Sequence, residues 1–504
     1  MSKTKIIKVY PIDTACSIKG EVLVDSDIGY TCTLNQTNIK ANNNKFYIMQ
    51  VVYDGTNFHL CIRYGRIGDN GVTSNKSFSS KAAAKAAFEK QFKAKTGNVW
   101  GDDFVQKIGK YFMSDISYEV EDDDVEESSD ESDNKKESKL DERIEFLMKL
   151  FTDKDTMERT LVSLSIDPKK MPLGQISKSQ LDNAQKVLNN IKKLLPKKSA
   201  DSDSDSGNSG SESTSDSEEK CDDDKIVDLS SKFYTYIPYS SNKHNAPPVI
   251  NSDELIGNFT EMIDELRNLE VAITVSKKHK NNLDSTYKSL QCDIEPLSKS
   301  SKEWKIISDY VRNTHGSTHY FKIDLVDVYE LGRHNELEEV QETLDKIGNR
   351  HLLWHGSRMT NFCSIIKNGL ILNPENLGVK VTGRMFGNGV YAASAFSKSF
   401  NYCDCSSSNN YAALLLCDIA LGKASKRTKS DYYITKEKLK KEKCHSTWGL
   451  GQMSPNDSII LDDVIVPNGK LTKMDNKSVL QYDEYIVYDT NQISLKYLVI
   501  VKKK

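Results

Sequence analysis

Two acidic, serine-rich tracts constrain how this chain of 504 residues can fold. Residues 119–138 read EVEDDDVEESSDESDNKKES, and residues 199–224 read SADSDSDSGNSGSESTSDSEEKCDDD. Segments with so much charge and so few apolar residues bury too little surface to offset the entropy lost on ordering. We therefore expect both tracts to be disordered and to separate folded blocks. The chain is too long for one core, and its length predicts about three domains.

The charge is distributed unevenly along the chain. Residues 1–112 carry 16 Lys and Arg against 9 Asp and Glu, whereas residues 199–228 carry 11 acids against 2 Lys. The net charge of the whole chain, −3, conceals this asymmetry. A basic first block favours an anionic partner such as nucleic acid, although a lysine-rich solvated surface gives the same pattern.

Several classes of protein are disfavoured by what the sequence lacks. The first residues, MSKTKIIKVYPIDTACS, have no apolar h-region, and no long apolar run follows, so we expect neither a signal peptide nor a membrane span. The ten cysteines have neither zinc-ligand spacing nor the pattern of a secreted disulfide framework. No GxGxxG or GxxxxGK(S/T) motif supports a Rossmann or P-loop site. We expect a cytosolic or nuclear protein without a bound metal.

The block before the first tract has the pattern of a small α+β domain. KFYIMQVVYD and NFHLCIRYGRIGDNG predict two strands joined by a turn at residues 54–57. KAAAKAAFEKQFKAK, residues 81–95, predicts a helix. The residues expected to face the sheet are Ala84, Ala87, Phe88 and Phe92.

In the middle of the chain the apolar period becomes helical. The apolar positions form three stripes: Leu140, Ile144, Leu147 and Phe151; Leu181, Ala184, Leu188, Ile191 and Leu195; and Leu255, Phe259, Met262, Leu266, Leu269 and Ile273. Ser177 and Gln180 fit a capping box at the start of the second stripe. We expect a helical bundle that contains the second acidic tract as an inserted loop.

From about residue 280 onwards, short β-branched and aromatic runs alternate with a few helices. HYFKIDLVDVYEL, HLLWH, YAALLLCDIALG and DEYIVYDTNQISLKYLVIVKKK are among the runs that predict strands. The expected structure is a large domain with a mixed or antiparallel sheet. The fold class predicted for the whole chain is therefore multidomain α+β.

The stretch WHGSR, residues 354–358, is the first candidate site. His355 stands at the end of a predicted strand, and an amphipathic helix with Phe362, Ile365 and Ile366 follows the turn. Polar groups at such a turn commonly bind a ligand, but an ordinary connection between a strand and a helix has the same pattern.

Two further stretches of the last block carry unusual residues. GRMFGNGVYAASAFSKSFNYC, residues 383–403, combines glycines that let backbone approach a ligand with aromatic rings and a hydroxyl that can stack on a flat ring and bond an amide. These residues are Gly383, Gly387, Gly389, Tyr391, Ser399 and Tyr402. QYDEYIVYD, residues 481–489, places Glu484 on a strand, where an isolated acid is usually exposed to solvent.

These motifs together resemble the DNA-dependent poly(ADP-ribose) polymerases almost end to end, and most of all the short members without zinc fingers. CTLNQTNIKANNNKFYIMQ and IRYGRIGDNG resemble the DNA-sensing domain named after Trp-Gly-Arg, the WGR domain. Met171-Pro-Leu-Gly, FYTYIP at residues 233–238 and APPVI at residues 246–250 are similar to the regulatory helical domain. LLWHGSRMTNF, GNGVYAAS, SKSFNYC and DEYIVYDTNQISLKYL resemble the catalytic domain.

The resemblance implies an order of domains along the chain. A WGR-like DNA-sensing domain would occupy residues 1–115, and an acidic linker residues 116–138. An all-helical regulatory domain would occupy residues 139–275, with a disordered insertion at residues 199–226. An ADP-ribosyltransferase catalytic domain would occupy residues 276–504.

The resemblance also implies a His-Tyr-Glu site, with NAD⁺ as a substrate and no bound cofactor. His355 would bond the adenosine ribose, Tyr391 would stack on the nicotinamide ring opposite Tyr402, and Glu484 would be the catalytic carboxylate. Gly356 and Ser399 would hold the nicotinamide amide. The full NAD⁺-binding set would be His355, Gly356, Ser357, Asn361, Ser364, Ile371, Ser399 and Tyr402.

Three residues depart from the family pattern. Tyr64 replaces the Trp that names the WGR domain, while Arg66 remains, and both are expected to bind DNA. Arg384 replaces a Tyr that lines the pocket, and Ile371 replaces an Arg near the adenosine.

By resemblance, the chain would be a nuclear poly(ADP-ribose) polymerase that DNA breaks activate and that releases nicotinamide. Its acceptors would be acidic or serine side chains of proteins, including its own, and its helical domain would block NAD⁺ until damaged DNA loosens it. Glu484, which supports chain elongation in the family, favours polymer formation over the alternative of a mono-ADP-ribosyltransferase. A second alternative, a DNA-end-binding scaffold with weak catalysis, is disfavoured by the intact His355, Tyr391 and Glu484.

Overall fold

The computed structural model describes most of the chain. The described residues are 5–8, 10–117, 119–122, 138–166, 175–196, 216–241, 245–278, 282–336, 338–372 and 384–504. Most of both acidic tracts, the Met171-Pro-Leu-Gly motif and Gly383 lie outside these ranges. Internal contacts divide the chain into two compact units, Met1–Glu127 with Leu161–Ile263 and Ser128–Thr160 with Asp264–Lys504.

The first compact unit begins with strands. These are β1 (Lys5–Lys8), β2 (Glu21–Val22), β3 (Val24–Asp25), β4 (Ile28–Gly29), β5 (Thr31–Asn38), β6 (Asn43–Tyr53), β7 (Phe58–Arg66), β8 (Val72–Phe78), β9 (Phe112–Met113), β10 (Ile116–Ser117) and β11 (Glu119–Asp122). The main sheet has the order β8-β7-β6-β5-β9, and β2 also pairs with β6. The predicted turn between β6 and β7 is confirmed, because the Asp54 N–H donates to the Asn57 carbonyl at 3.2 Å.

Helix α1 (Lys81–Thr96) covers one face of this sheet, as predicted. The Ser80 hydroxyl caps its first turn by accepting from the Ala83 N–H. Ala84, Phe88 and Phe92 are buried in the core that the helix shares with the strands. The alanine-rich face lets the helix lie close to the sheet, and the two aromatic rings fill the space between them.

Helices follow in the middle of the chain. They are α2 (Glu142–Phe151), α3 (Lys154–Ser163), α4 (Lys178–Leu194), α5 (Asp216–Tyr236), α6 (Asp253–Lys278) and α7 (Leu283–Ser289), and the short strand β12 (Gln175–Ile176) precedes α4 and pairs with β10. In the first unit the predicted stripe on α4 is buried from Leu181 to Ile191. The ring of Phe259 on α6 contacts the rings of Phe233 and Tyr234 on α5, at centroid distances of 5.0 and 5.5 Å.

The predicted extent of the disordered insertion is wrong at its C-terminal end. Helix α5 begins at Asp216, so residues 216–226 are helical, while residues 199–215 lie outside the described ranges. The described part of the tract runs directly into buried residues of α5 such as Ile226 and Phe233. Because a helix propagates cooperatively from a packed segment, α5 extends back into the acidic sequence.

The acidic linker predicted for residues 116–138 contains regular structure at its N-terminal end. Strand β10 lies within it, and residues Glu119–Asp122 form β11, which pairs antiparallel with β1. The register sets Lys5 opposite Asp122 and Lys8 opposite Glu119. Composition alone does not reveal that a distant basic strand provides an edge for these residues to pair with.

The predicted capping box is confirmed only in part. Ser177 is the N-cap of α4, and its hydroxyl accepts from the Gln180 N–H at 3.2 Å. The Gln180 side chain does not return to the Ser177 N–H, as a capping box requires. Its oxygen accepts from the Asp115 N–H at 2.8 Å, and its nitrogen donates to the Tyr236 carbonyl at 2.5 Å. These longer-range contacts join α4 to the strands and to α5.

The second compact unit contains the remaining elements. They are β13 (Cys292–Pro296), α8 (Lys302–Asn313), β14 (Ile323–Arg333), α9 (Glu338–Ile347), β15 (Arg350–Gly356), α10 (Phe362–Asn368), β16 (Val390–Ala392), α11 (Phe396–Phe400), β17 (Tyr411–Ala420), β18 (Ala424–Arg427), α12 (Lys436–Lys441), β19 (Ser446–Gly449), β20 (Gly451–Pro455), β21 (Ile459–Leu461), β22 (Val464–Val466), β23 (Leu471–Lys473), β24 (Leu480–Tyr482), β25 (Glu484–Val487) and β26 (Ile493–Lys503). The sheets have the orders β13-β14-β26-β17-β15-β22-β21, β16-β25-β19-β18 and β23-β20-β24. The pairing is mostly antiparallel with some parallel pairs, which confirms the predicted sheet class.

Helix α2 packs within this second unit, against the sheet domain. The Arg143 guanidinium bonds the Asp327 carboxylate and the Leu297 carbonyl, and the Phe151 ring stacks on Phe362 of α10 at a centroid distance of 5.9 Å. The predicted stripe is buried at Ile144, Leu147 and Phe151. Within the described ranges, no helix is both long and apolar enough to cross a lipid bilayer.

Candidate active site

Three adjoining strands bring together residues that are far apart in the sequence. Trp354 near the end of β15 and Ala393 just after β16 exchange two backbone hydrogen bonds of 2.9 Å each. Strand β16 in turn pairs antiparallel with β25. His355, Tyr391 and Glu484 therefore lie on neighbouring strands, where the seven-stranded sheet that contains β15 meets the four-stranded sheet that contains β16 and β25.

The His355 imidazole is held by a backbone contact from the neighbouring strand. Its Nδ1 lies 2.9 Å from the Tyr391 carbonyl oxygen. Because a carbonyl can only accept, Nδ1 carries the proton and Nε2 of the neutral ring is an acceptor. Burial lowers the pKa of His355, and the bond to the Tyr391 carbonyl offsets part of that shift. The ring is therefore neutral near pH 7 and can accept a hydrogen bond from a ligand hydroxyl.

Gly356, at the end of β15, is in close contact with Ser399 of α11. A Cβ atom built on Gly356 would lie 1.9 Å from the Ser399 carbonyl oxygen and 3.2 Å from the Cys403 sulfur, so only glycine fits. The Ser399 hydroxyl donates to the Trp354 carbonyl at 3.0 Å. The backbone of Gly356 and the hydroxyl of Ser399 thus lie next to each other, and their role in holding the nicotinamide amide stays a prediction.

Tyr391 is fixed by the glycine-containing loop that precedes β16. Its hydroxyl donates to the Gly387 carbonyl at 2.8 Å and accepts from the Phe386 N–H at 2.9 Å. Gly387 has a φ of +76°, and a Cβ there would lie 2.3 Å from the Ile434 carbonyl oxygen. Tyr402, the second predicted stacking residue, is 55% exposed, so its side chain is accessible.

Glu484 is buried rather than exposed to solvent as an isolated strand acid usually is. It is 6% exposed at the start of β25. Its Oε1 lies 2.8 Å from the Lys398 Nζ, and its Oε2 is buried without a hydrogen-bond partner among the described residues. A carboxylate oxygen in this state has a free position for a donor from a ligand.

Lys398 is a site residue that the sequence analysis did not single out. Its Nζ also donates to the Tyr482 carbonyl at 2.9 Å. Burial lowers the pKa of Lys398, and the Glu484 carboxylate opposes this effect. One sequence feature could have indicated this residue. Lys398 lies in the motif SKSFNYC between Ser397 and Ser399, which are two buried residues of α11.

The residues predicted for the adenosine side are only partly brought together. The Asn361 side-chain amide donates to the Ser357 hydroxyl at 2.9 Å, and its own oxygen is buried without a partner in the described part of the chain. Ser364 is 4% exposed on α10. Ile371, by contrast, is 68% exposed beyond the end of α10.

Comparison with known families matches three consecutive segments of the chain. Residues 30–106 match the WGR domain, residues 138–291 the poly(ADP-ribose) polymerase regulatory domain, and residues 301–503 the poly(ADP-ribose) polymerase catalytic domain. The chain is 35% identical to the poly [ADP-ribose] polymerase 2-A of Oryza sativa subsp. japonica, over 95% of this chain and 71% of the relative. The chain belongs to the poly(ADP-ribose) polymerase family.

Other relatives of the family agree with this membership. The poly [ADP-ribose] polymerase 2 of Homo sapiens is 33% identical over 98% of this chain and 83% of its own length. The poly [ADP-ribose] polymerase of Sarcophaga peregrina is 34% identical over 99% of this chain, which spans 50% of that relative. As a family member with the catalytic domain, the chain is an NAD⁺-dependent ADP-ribosyltransferase, and NAD⁺ is its substrate.

The WGR residues predicted to bind DNA lie at the end of β7. Tyr64 is 44% exposed, and its ring stacks on Tyr47 at a centroid distance of 5.7 Å. The Arg66 guanidinium is engaged within the first compact unit, because it donates to the Asn42 carbonyl at 3.0 Å, to the Asn42 side chain at 2.9 Å and to the Asn245 carbonyl at 2.6 Å. Arg66 therefore connects the WGR domain to the regulatory domain.

The remaining departure from the polymerase family pattern is Arg384. Its guanidinium donates to the Asn388 side chain at 3.3 Å, within the loop that fixes Tyr391. Over the described ranges, no group of three or more His, Cys, Asp or Glu residues is placed to hold a metal ion.

Proposed function

We propose that this protein is a DNA-break-activated poly(ADP-ribose) polymerase in which His355, Tyr391 and Glu484 are the catalytic residues. The observation that carries the proposal is the buried Glu484 carboxylate, which has one oxygen on the Lys398 ammonium and the other without a partner in the described part of the chain. A buried, unpaired carboxylate oxygen is costly unless a substrate hydroxyl completes it.

In the proposed complex, the nicotinamide amide bonds the Gly356 backbone and the Ser399 hydroxyl. The nicotinamide ring lies between Tyr391 and Tyr402, and the His355 Nε2 accepts from the adenosine ribose. Ser357, Asn361 and Ser364 line the adenosine side. Ile371 has a peripheral part at most, since its side chain is exposed.

The proposed chemistry follows from how charge develops in the reaction. Breaking the bond between nicotinamide and ribose develops positive charge on the ribose, as in glycoside cleavage, and hydrogen bonds to the ring hydroxyls strengthen in that transition state. The Glu484 carboxylate accepts from the ribose 2′-OH and stabilises the cation electrostatically. During elongation the same carboxylate takes the proton of the attacking acceptor hydroxyl as a general base.

Lys398 has a positioning role in this proposal. Its ammonium fixes the orientation of the Glu484 carboxylate through one oxygen, so that the other oxygen is available to the substrate. The backbone carbonyl of Tyr482 also accepts from this ammonium, at 2.9 Å.

The proposed activator is DNA with strand breaks, bound by the WGR domain. The basic first block of the chain and the exposed Tyr64 support binding to a phosphate backbone and a DNA end. The bonds from Arg66 to Asn42 and Asn245 support a second role, in which this residue transmits DNA binding to the regulatory domain. The proposed location is the nucleus, where such DNA is found.

The proposed acceptors are acidic or serine side chains of proteins, including those of the chain itself. The tracts at residues 119–138 and 199–224 are rich in both residue types. Polymer formation, rather than transfer of a single unit, is supported by Glu484 as a base for the acceptor hydroxyl.

NAD⁺ turnover with and without nicked DNA tests the proposal, with the products separated by size. Turnover that rises on addition of nicked DNA and yields long polymer is the expected result. A single ADP-ribose unit on each acceptor would identify a mono-ADP-ribosyltransferase. DNA binding without NAD⁺ turnover would identify a scaffold.

A further inference from the structure

A strongly basic surface lies in the second compact unit, outside the site described above. Residues 423–443 contain 9 Lys and Arg against 3 Asp and Glu. They form β18, the following loop and α12, and their cations are mostly exposed. We call these residues the α12 surface.

Part of this charge is neutralised within the fold. Arg427 pairs with Glu442 at 2.6 Å, Lys438 with Asp431 at 2.6 Å, and Lys436 with Asp489 at 2.5 Å. The exposed lysines at 429, 440, 441 and 443 have no ion pair with any described residue. The fold therefore explains only some of the cations, and the excess is available to an anionic partner.

The loop of the α12 surface is concave and combines cations with aromatic rings. Lys426, Arg427, Lys429, Tyr432 and Tyr433 line an open depression of about 490 Å³. Tyr433 is 62% exposed. Phosphate groups are attracted to such cations, and a purine base can stack on an exposed aromatic ring.

The sheet connects the α12 surface to Glu484. In the order β16-β25-β19-β18, Glu484 is opposite Gly449, and Gly449 is opposite Arg427. Neighbouring strands are about 4.8 Å apart, so the backbones of Glu484 and Arg427 are separated by about 10 Å.

The loop of the α12 surface also contacts the segment before β16 that fixes Tyr391. The Asp431 N–H donates to the Met385 carbonyl at 2.8 Å, and Ile434 packs on Phe386 in a shared apolar cluster. The α12 surface therefore lies on the outer side of the loop that fixes the stacking tyrosine.

We propose that the α12 surface binds the poly(ADP-ribose) product as it grows away from the catalytic site. Each ADP-ribose unit brings a pyrophosphate for the lysines and an adenine for an aromatic ring. We favour this polymer over nucleic acid as the ligand because the α12 surface lies two strands from Glu484, the proposed site of polymer synthesis. The proposal rests on the proposed polymerase function, since only an elongating enzyme has such a product.

The test compares full-length wild type with the triple variant K429E/K440E/K441E. The control is K288E/K302E/K346E, which reverses three exposed lysines of the same unit and changes the net charge equally. The probe is purified, fluorescently labelled poly(ADP-ribose) of one defined length, and its binding is measured by anisotropy over a range of salt. An unlabelled single-stranded DNA oligonucleotide serves as competitor. The length of polymer made and the initial rate of NAD⁺ consumption are measured in parallel.

Loss of three phosphate contacts should raise the Kd for the polymer about tenfold or more and lower the salt slope by about 2. The triple variant should make shorter polymer at an unchanged initial rate, whereas the control should behave like wild type. Equal binding by wild type and variant, or equal weakening in the control, overturns the proposal. So does a loss of affinity that affects the DNA oligonucleotide and not the polymer.

The binding assay is independent of whether the proposed function is correct, because the polymer is supplied from outside. A wild-type protein that makes no polymer contradicts the proposed function. A wild-type protein that makes polymer but does not bind it through these lysines contradicts only the present inference.

Discussion

At the scale of single residues, the site depends on the buried pair of Glu484 and Lys398. Their side chains are 8% and 15% exposed, so their interaction is little screened by solvent. Removing one partner of such a pair leaves the other buried and unpaired, which typically costs about 3–5 kcal/mol of stability. Conservative replacements are therefore needed to separate a catalytic role from a structural one.

Glu484→Gln tests the carboxylate. Glutamine keeps the shape and one acceptor but removes the charge that stabilises the developing cation. We expect polymer to disappear and NAD⁺ cleavage to fall by about 100- to 1000-fold, with some hydrolysis or single-unit transfer remaining. Product size and nicotinamide release from the purified variant provide the measurement. Long polymer from this variant would show that another residue is the catalytic carboxylate.

Lys398→Arg tests the charge on the lysine through the dependence of activity on pH. Burial lowers the pKa of Lys398, so its ammonium is lost as the pH rises through that lowered value, and activity should fall on the alkaline side. Arginine stays protonated throughout the accessible range. We expect the alkaline fall in NAD⁺ turnover to disappear in the variant, even if its maximal rate is lower. An unchanged alkaline limb would assign that limb to another group.

At the scale of elements, close contacts to the backbone join strands and helices within each compact unit. Strand β15 meets α11 at Gly356, where no larger residue fits. In the first compact unit, hydroxyls of α5 cap the end of β5: Ser231 accepts from the Ile39 N–H at 3.0 Å, and Thr235 accepts from the Thr37 N–H at 3.2 Å. Arg66, at the end of β7, adds a third hydrogen bond between a side chain and the backbone, because its guanidinium donates to the Asn245 carbonyl.

Arg66→Ala removes that connection. Because Arg66 belongs to the WGR domain and is absent from the NAD⁺ site, we expect DNA-stimulated turnover to fall by about tenfold or more while basal turnover stays near that of wild type. The variant removes three hydrogen bonds, to the Asn42 carbonyl, the Asn42 side chain and the Asn245 carbonyl, and a tenfold effect corresponds to about 1.4 kcal/mol. The measurement is turnover against concentration of nicked DNA, with Lys90→Ala on the exposed face of α1 as the control. Full stimulation in the Arg66 variant would refute both its DNA-binding and its transmitting role.

At the scale of the whole molecule, the regulatory helices are shared between the two compact units. Helices α2 and most of α3 belong with the catalytic domain, α4 and α5 belong with the WGR domain, and the division falls within α6. In the second unit, Phe151 of α2 stacks on Phe362 of α10, and Glu265 of α6 lies 3.7 Å from Arg358, which directly follows Ser357. The regulatory helices thus contact the elements that carry the predicted adenosine site.

Deletion of residues 140–273 should give an enzyme that is active without DNA, because the helices that restrain the NAD⁺ site are gone. The deletion exposes apolar residues such as Phe362, so solubility and a cooperative thermal transition must be confirmed first. NAD⁺ turnover without DNA, compared with the full-length chain, is the measurement. A folded fragment that still requires DNA contradicts the gating hypothesis.

A point variant tests the same hypothesis within the intact chain. Phe151→Ala removes the ring that stacks on Phe362 and should weaken the packing of α2 by about 3–5 kcal/mol. We expect DNA-independent turnover to rise while turnover at saturating DNA stays the same. An unchanged basal rate in a folded variant would exclude this contact as part of the restraint.

The sequence alone determined the elements whose signal is local. The hairpin at residues 54–57, the alanine-rich helix α1 and the strands of the C-terminal sheets follow from turn chemistry, propensity and alternation, and the structure confirms them. The family also followed from sequence, because its motifs are long and consecutive. The roles of His355, Tyr391 and Glu484 stay predictions, but their adjacency on β15, β16 and β25 agrees with them.

Only the tertiary structure decided features that depend on distant partners. The Lys398 ammonium reaches Glu484 from 86 positions earlier in the chain, Gln180 bonds Asp115 and Tyr236 rather than its own N-cap, and α5 extends into an acidic tract. The physical reason is the same in each case. Burial, ion pairing and helix propagation depend on what surrounds a residue in space, whereas composition and periodicity report only its neighbours along the chain.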